Sequence, residues 1–199
     1  DAWLFHGRSV KVIDGSTVTM PDTPENQAAY PQLDSQAPGV GFPIARLLVV
    51  FSLAVGTVLE ATLGPYQGKQ TSELALLRQV LDQFQPGDIV LADRFFCSYW
   101  VIAALQARGV EVVVRLHQAR TADFRRGRRL GREDHLVTWT KPTHVPGWMS
   151  RADYEAMPAQ ITVRELRIRV RDRTKRVRDL VIVTTLTDGT TYPAEELRS

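Results

Sequence analysis

Short apolar runs that end in aspartate recur along this chain. Val10-Lys11-Val12-Ile13 is rich in β-branched side chains, reads as a strand, and is followed at once by Asp14 and Gly15. Asp88-Ile89-Val90-Leu91-Ala92-Asp93-Arg94 repeats the arrangement. In open α/β sheets the carboxyl ends of strands are where ligands and metals bind. The plainer reading of the first case is a turn, since Asp-Gly is a common turn pair. Two strand-end aspartates in one domain suggest a shared metal site.

The remaining pattern supplies the frame. Residues 21–43 read as a loop punctuated by Pro21, Pro24, Pro31, Pro38 and Pro43. Ile44 to Phe51 and Gly56 to Leu63 read as a hairpin. Thr71 or Ser72 can cap a helix with Glu73 in its first turn, and Leu74, Leu77, Val80, Leu81 and Phe84 follow at helical spacing until Pro86-Gly87. After the Asp93 strand, Ser98 to Arg108 reads as a helix ended by Gly109, and Val110 to Leu116 as a strand. The predicted order is β-β-β-α-β-α-β.

Beyond Leu116 the character changes. Arg120, Arg125, Arg126, Arg128, Arg129 and Arg132 crowd a loop, and a proline-rich stretch follows Leu136 to Trp139. Glu165 to Arg171 alternates strictly, with Leu166, Ile168 and Val170 on one face and Arg167, Arg169 and Arg171 on the other. Asp172 to Arg176 read as a turn and Leu180 to Leu186 as the returning strand. Residues 117–188 are therefore expected to form a basic β insert that does not continue the core.

Charge sharpens this division. Of 25 Lys and Arg, residues 120–178 hold 16, against 7 of the 22 acids, a net +9 in a chain of net +3. Such a concentration points to nucleic acid, the alternative being a solvated basic surface. No apolar run reaches the ~18 residues of a membrane span. The lone Cys97 excludes an internal disulfide or a cysteine zinc cage, and a reducing cytoplasm is the expected setting. His6, His117, His135 and His144 show no metal-ligand spacing, and no phosphate-binding glycine motif is present. The abrupt start at Asp1 suggests sequence upstream.

These residues resemble the catalytic domain of DDE transposases of the bacterial insertion sequence four family. The resemblance rests on Val12-Ile13-Asp14-Gly15-Ser16-Thr17, on Pro21-Asp22-Thr23-Pro24-Glu25-Asn26, and on Leu91-Ala92-Asp93-Arg94. Val183-Thr184-Thr185-Leu186-Thr187-Asp188 and Tyr192-Pro193-Ala194-Glu195-Glu196-Leu197 complete it. It implies an α/β fold, a ribonuclease-H-like core with a mixed five-stranded sheet and flanking helices, interrupted by an all-β insertion. The expected division is a core over 1–116, the basic insert over 117–188, and a return to the core over 189–199.

The resemblance also implies chemistry. Asp14 and Asp93 become catalytic metal ligands for two Mg²⁺ or Mn²⁺ ions, acting in cleavage and strand transfer of double-stranded DNA at transposon ends. It places the third carboxylate in a Tyr-x-x-Arg-Trp-x-x-Glu pattern beyond Ser199, so the chain is expected to hold two of three ligands and to be inactive alone. A homodimer on DNA, in a bacterial cytoplasm, is the expected assembly. Arg125, Arg126, Arg128 and Arg129, then Arg167, Arg169 and Arg171, are the candidate backbone contacts. Arg94 could touch a phosphate or pair with an acid. Trp139 and Trp148 could stack on a flipped base or simply pack in a core. A nuclease that only hydrolyses and a non-catalytic DNA-binding remnant stay open as alternatives.

Overall fold

The computed structural model describes residues 4–68, 71–171 and 177–198. The elements run β1 (Val10–Thr19), α1 (Pro24–Ala29), β2 (Ile44–Ser52), β3 (Val58–Pro65), α2 (Glu73–Leu77), β4 (Ile89–Ala92), α3 (Tyr99–Gln106) and β5 (Glu111–Arg115). Then come β6 (Arg128–Gly131), β7 (Asp134–Thr140), α4 (Arg151–Ala156), β8 (Gln160–Arg171), β9 (Val177–Thr184) and α5 (Ala194–Arg198). Among the described residues the strands form one nine-stranded sheet in the order β3-β2-β1-β4-β5-β9-β8-β7-β6.

The expected order of strands and helices holds through β5. α1 is an addition within the predicted loop, with Pro24 in its first turn and Thr23 as cap. β1 and β4 lie side by side and parallel, Val10 opposite Ile89 through Ile13 opposite Ala92. β5 continues the parallel set beside β4, while β2 and β3 run as an antiparallel hairpin on the other side of β1.

β1 does not stop at Asp14. It continues through Gly15 to Thr19, paired along its length with β2. The parallel neighbour β4 is shorter, so Asp14 still stands where the β1–β4 ladder ends. The predicted helix from Ser72 keeps its α form only to Leu77 and tightens to a 3₁₀ turn over Arg78–Gln83. In both α2 and α3 a serine starts the helix: Ser72 Oγ accepts the Ala75 N–H at 3.2 Å and Ser98 Oγ the Val101 N–H at 3.3 Å. Gly109, at φ +71°, takes the left-handed conformation just past α3.

α2, its 3₁₀ extension and α3 cover one face of the sheet. α3 is apolar nearly all round, and Ile102 and Leu105 have no exposed surface. Truncating either to alanine should cost about 2–5 kcal/mol. The opposite face carries a smaller cluster, Val10, Ile89 and Leu186, with Phe5, Tyr192 and Leu197 packed against it.

Two expectations about residues 117–188 are corrected. The sheet has nine strands rather than five, because β9 pairs antiparallel with β5 (Val113 opposite Thr184) and carries β8, β7 and β6 with it. The insert strands thus continue the core sheet. The physical reason is that β5 would otherwise be an edge with unpaired backbone groups. The junction is sealed by Val112 N–H, which donates to Thr185 Oγ1 at 2.8 Å. Nor is the segment all-β, since it contains α4, capped by Ser150. Trp139, Met149, Ile161, Val163 and Val183 share one buried cluster with Ile13 and Leu48, so packing crosses residue 116 without a break. The predicted turn at 172–176 lies outside the described residues.

Candidate active site

Asp14 and Asp93 are the first residues past the last matched pair of the β1–β4 ladder, Ile13 with Ala92. Adjacent strands lie about 4.8 Å apart, so the fold sets the two carboxylates at neighbouring positions. Both are exposed and both line a cleft of about 350 Å³. Each is oriented locally. Asp14 Oδ1 accepts the Gly15 N–H at 2.9 Å, and Asp93 Oδ1 accepts the Phe95 N–H at 2.8 Å, capping a short 3₁₀ turn.

A third carboxylate enters the same cleft. β3 runs parallel to β1, so its carboxyl end lies at the edge where Asp14 and Asp93 stand, and α2 begins there. Glu73 is the first residue of α2 and lines the cleft. Burial raises its pKa; Arg46 pulls it down, while Asp93 and then Asp14 push it further up. Arg46, on β2, reaches Glu73 Oε1 with Nη1 at 3.4 Å and lies over the Tyr66 ring at 4.8 Å.

Gly15 lies directly against this neighbour. It lies inside a strand, so no turn requires it. A Cβ at position 15 would stand 2.4–2.8 Å from the Glu73 carboxyl atoms. The sequence showed Glu73 only as a helix-start acid. The missed signal is its place on the helix after the third strand, at the aspartate edge.

His117 and Arg94 also border the cleft. Among the described residues no carboxylate pairs with Arg94. Cys97 is buried, which pushes its thiol up to about 11. The carboxylates suit a hard divalent cation by donor chemistry. As they stand, no three His, Cys, Asp or Glu side chains among the described residues are close enough to cage one.

The arginines divide into distinct groups. Arg125 pairs with both Asp123 oxygens at 2.8 and 3.0 Å, and Arg126 reaches Asp123 at 3.3 Å. Arg128 and Arg129 are exposed on β6, an outer strand of the sheet. Arg167 pairs with Glu133 at 3.0 Å, and Arg169 with Asp179 at 3.2 Å. The Arg171 side chain lies outside the described residues. Trp139 offers no open platform here: it is 6% exposed, donates from Nε1 to Glu165 at 3.3 Å, and carries Arg120 4.0 Å above its ring. Trp148 is half-buried against the main core.

Strand-end aspartates over a cleft, flanked by a basic segment, agree with the comparisons. The family of transposase DDE domains matches residues 5–198, and the chain belongs to that family. It is similar to "Transposase InsG for insertion sequence element IS4" of Escherichia coli (strain K12), 24% identical over 192 residues. That alignment covers 96% of this chain and 40% of the relative, so the chain spans about two fifths of the relative's length.

Proposed function

We propose that this chain is the catalytic core of an insertion-sequence transposase that cuts and rejoins double-stranded DNA at transposon ends. The observation that carries the reading is the placement of Asp14 and Asp93 on adjacent parallel strands, over one cleft, in a chain of the DDE family. The strand order β3-β2-β1-β4-β5, with β1, β4 and β5 parallel, supports a ribonuclease-H-like core.

Asp14 and Asp93 would hold Mg²⁺ or Mn²⁺. Bound there, the ions supply an activated oxygen nucleophile and stabilise the leaving oxygen. The protein's own part is placement. Asp14 and Asp93 keep their carboxylates at the open edge through the hydrogen bonds to Gly15 and Phe95. Arg94, bordering the cleft without an acid partner among the described residues, would take a phosphate oxygen. Arg125, Arg126, Arg128 and Arg129 would engage the DNA backbone away from the cleft, fixing register without reading sequence. A homodimer on DNA and a bacterial cytoplasmic setting rest on the family resemblance.

The test is metal-dependent nicking and strand transfer on a transposon-end duplex by the full-length protein. Asp14→Asn and Asp93→Asn should each abolish cleavage and leave DNA binding largely intact. Wild-type nicking in either variant overturns the assignment. Hydrolysis without strand transfer would make the protein a nuclease instead.

A further inference from the structure

We propose that Glu73 is a further divalent-cation carboxylate of the Asp14–Asp93 site, and that residue 15 is glycine to admit it. The inference rests on the metal-dependent reading above and adds a residue to it.

The placement is built by the fold. β1, β3 and β4 all run toward the same edge, and α2 starts at that edge directly after β3. Ser72 caps the helix and fixes its first turn, so Glu73 has a defined starting direction. Its carboxyl group occupies the space a side chain at position 15 would fill, with Cδ, Oε2 and Oε1 at 2.4, 2.6 and 2.8 Å from the Cβ position. Residue 15 adjoins Asp14, so the Glu73 carboxyl is packed against the backbone that presents the first aspartate. Asp14, Asp93 and Glu73 line the one cleft.

The charge balance points the same way. Three carboxylates face this cleft, and Arg46 pairs with only one of them, at 3.4 Å. Arg46 stacks on Tyr66 and donates to the Tyr66 carbonyl at 3.4 Å, so it approaches Glu73 from the β2 side. Like charges gathered in one place repel, and a divalent cation removes that repulsion. Oxygen donors with room for phosphate oxygens and water are what Mg²⁺ and Mn²⁺ take.

The experiment is a calorimetric titration of the full-length protein with Mn²⁺, comparing wild type, Asp14→Asn, Glu73→Gln and Gly15→Ala. Melting curves check that each variant folds. Glu73→Gln keeps the side-chain shape and removes the charge; it should weaken Mn²⁺ binding by on the order of 10-fold. Gly15→Ala keeps every acid but drives the Glu73 carboxyl aside, and should weaken binding in the same direction. It also reads the contact if Glu73→Gln fails to fold. Unchanged Mn²⁺ affinity in the folded variants, while Asp14→Asn loses it, overturns the role of Glu73 and spares the metal site. Wild type that binds no Mn²⁺, or an Asp14→Asn variant that binds like wild type, overturns the underlying reading instead.

Discussion

Arg164 holds Asp134 with both arms of its guanidinium: Nε donates to Oδ1 at 2.7 Å and Nη2 to Oδ2 at 2.6 Å. The pair is buried, with side chains 1% and 3% exposed, and joins β8 to β7. The third nitrogen, Nη1, donates to the Tyr192 carbonyl at 2.7 Å, tying the residues before α5 to the sheet. One arginine of the basic segment is therefore internal. Arg164→Ala should destabilise the fold by about 3–5 kcal/mol, because it strands a buried carboxylate. Arg164→Lys should also be costly, since an ammonium cannot form the two-armed pair. Replacing both partners with apolar residues of similar volume should recover much of the loss. Urea unfolding of the single and double variants measures this.

His135 and Glu165 form a second buried pair. His135 Nδ1 lies 2.6 Å from the Arg126 carbonyl, which can only accept, so Nδ1 carries a proton. Nε2 lies 3.0 Å from Glu165 Oε2, whose other oxygen accepts from Trp139. The arginine loop is thereby anchored to the core. Glu165→Ala should cost about 3–5 kcal/mol by leaving His135 and Trp139 without their partner. Glu165→Gln, which can still accept from Trp139, should cost less, about 1–3 kcal/mol. Unfolding followed by tryptophan fluorescence would show the order of the two.

DNA affinity should fall with salt, and the arginines should contribute unequally. Each phosphate contact accounts for about 0.9 in the slope of log K against log salt. Arg128 makes no ion pair among the described residues, whereas Arg167 is already paired with Glu133. Arg128→Ala should lower the slope by nearly one unit and Arg167→Ala by clearly less. Fluorescence anisotropy on one duplex at several salt concentrations gives both numbers. Equal slopes in the two variants would remove the distinction.

The Asp123 carboxyl is held down to about 2, first by the side-chain hydrogen bonds from Arg125 and then by the Arg125 backbone N–H. A carboxylate lowered on folding adds stability above its ordinary range, near 3.8, and that contribution is lost as pH falls toward 2. The arginine loop should therefore loosen between about pH 4 and 2. A carbon-detected titration of Asp123 should show the low midpoint, and Arg125→Ala should return it toward 3.8. A wild-type midpoint near 3.8 would disprove the pairing in solution.

Much of the fold was legible in local pattern. β-branched runs, the serine caps and the apolar composition of α3 are properties of short stretches, and they give strands and helices wherever the chain goes. The motifs around Asp14 and Asp93 pointed to the family that the comparison bears out. What local pattern cannot carry is partnership. Asp14-Gly15 has the composition of a turn, yet β2 pairs with the chain through Thr19 and holds it extended. Arg164, Arg167 and Arg169 look alike in sequence. Strand parity and the cover of β7 bury Arg164, while Arg167 and Arg169 lie on the other face. Trp139 carries no mark of whether its ring meets a base or Glu165. Above all, Glu73 lies 59 residues after Asp14 and 20 before Asp93, a separation without a pattern. The chain by itself determined which stretches become strands and helices and which residues could do chemistry. The tertiary structure decided which of them meet, because sheet pairing brings distant segments to one edge and burial forces each charge to find a partner or face the solvent.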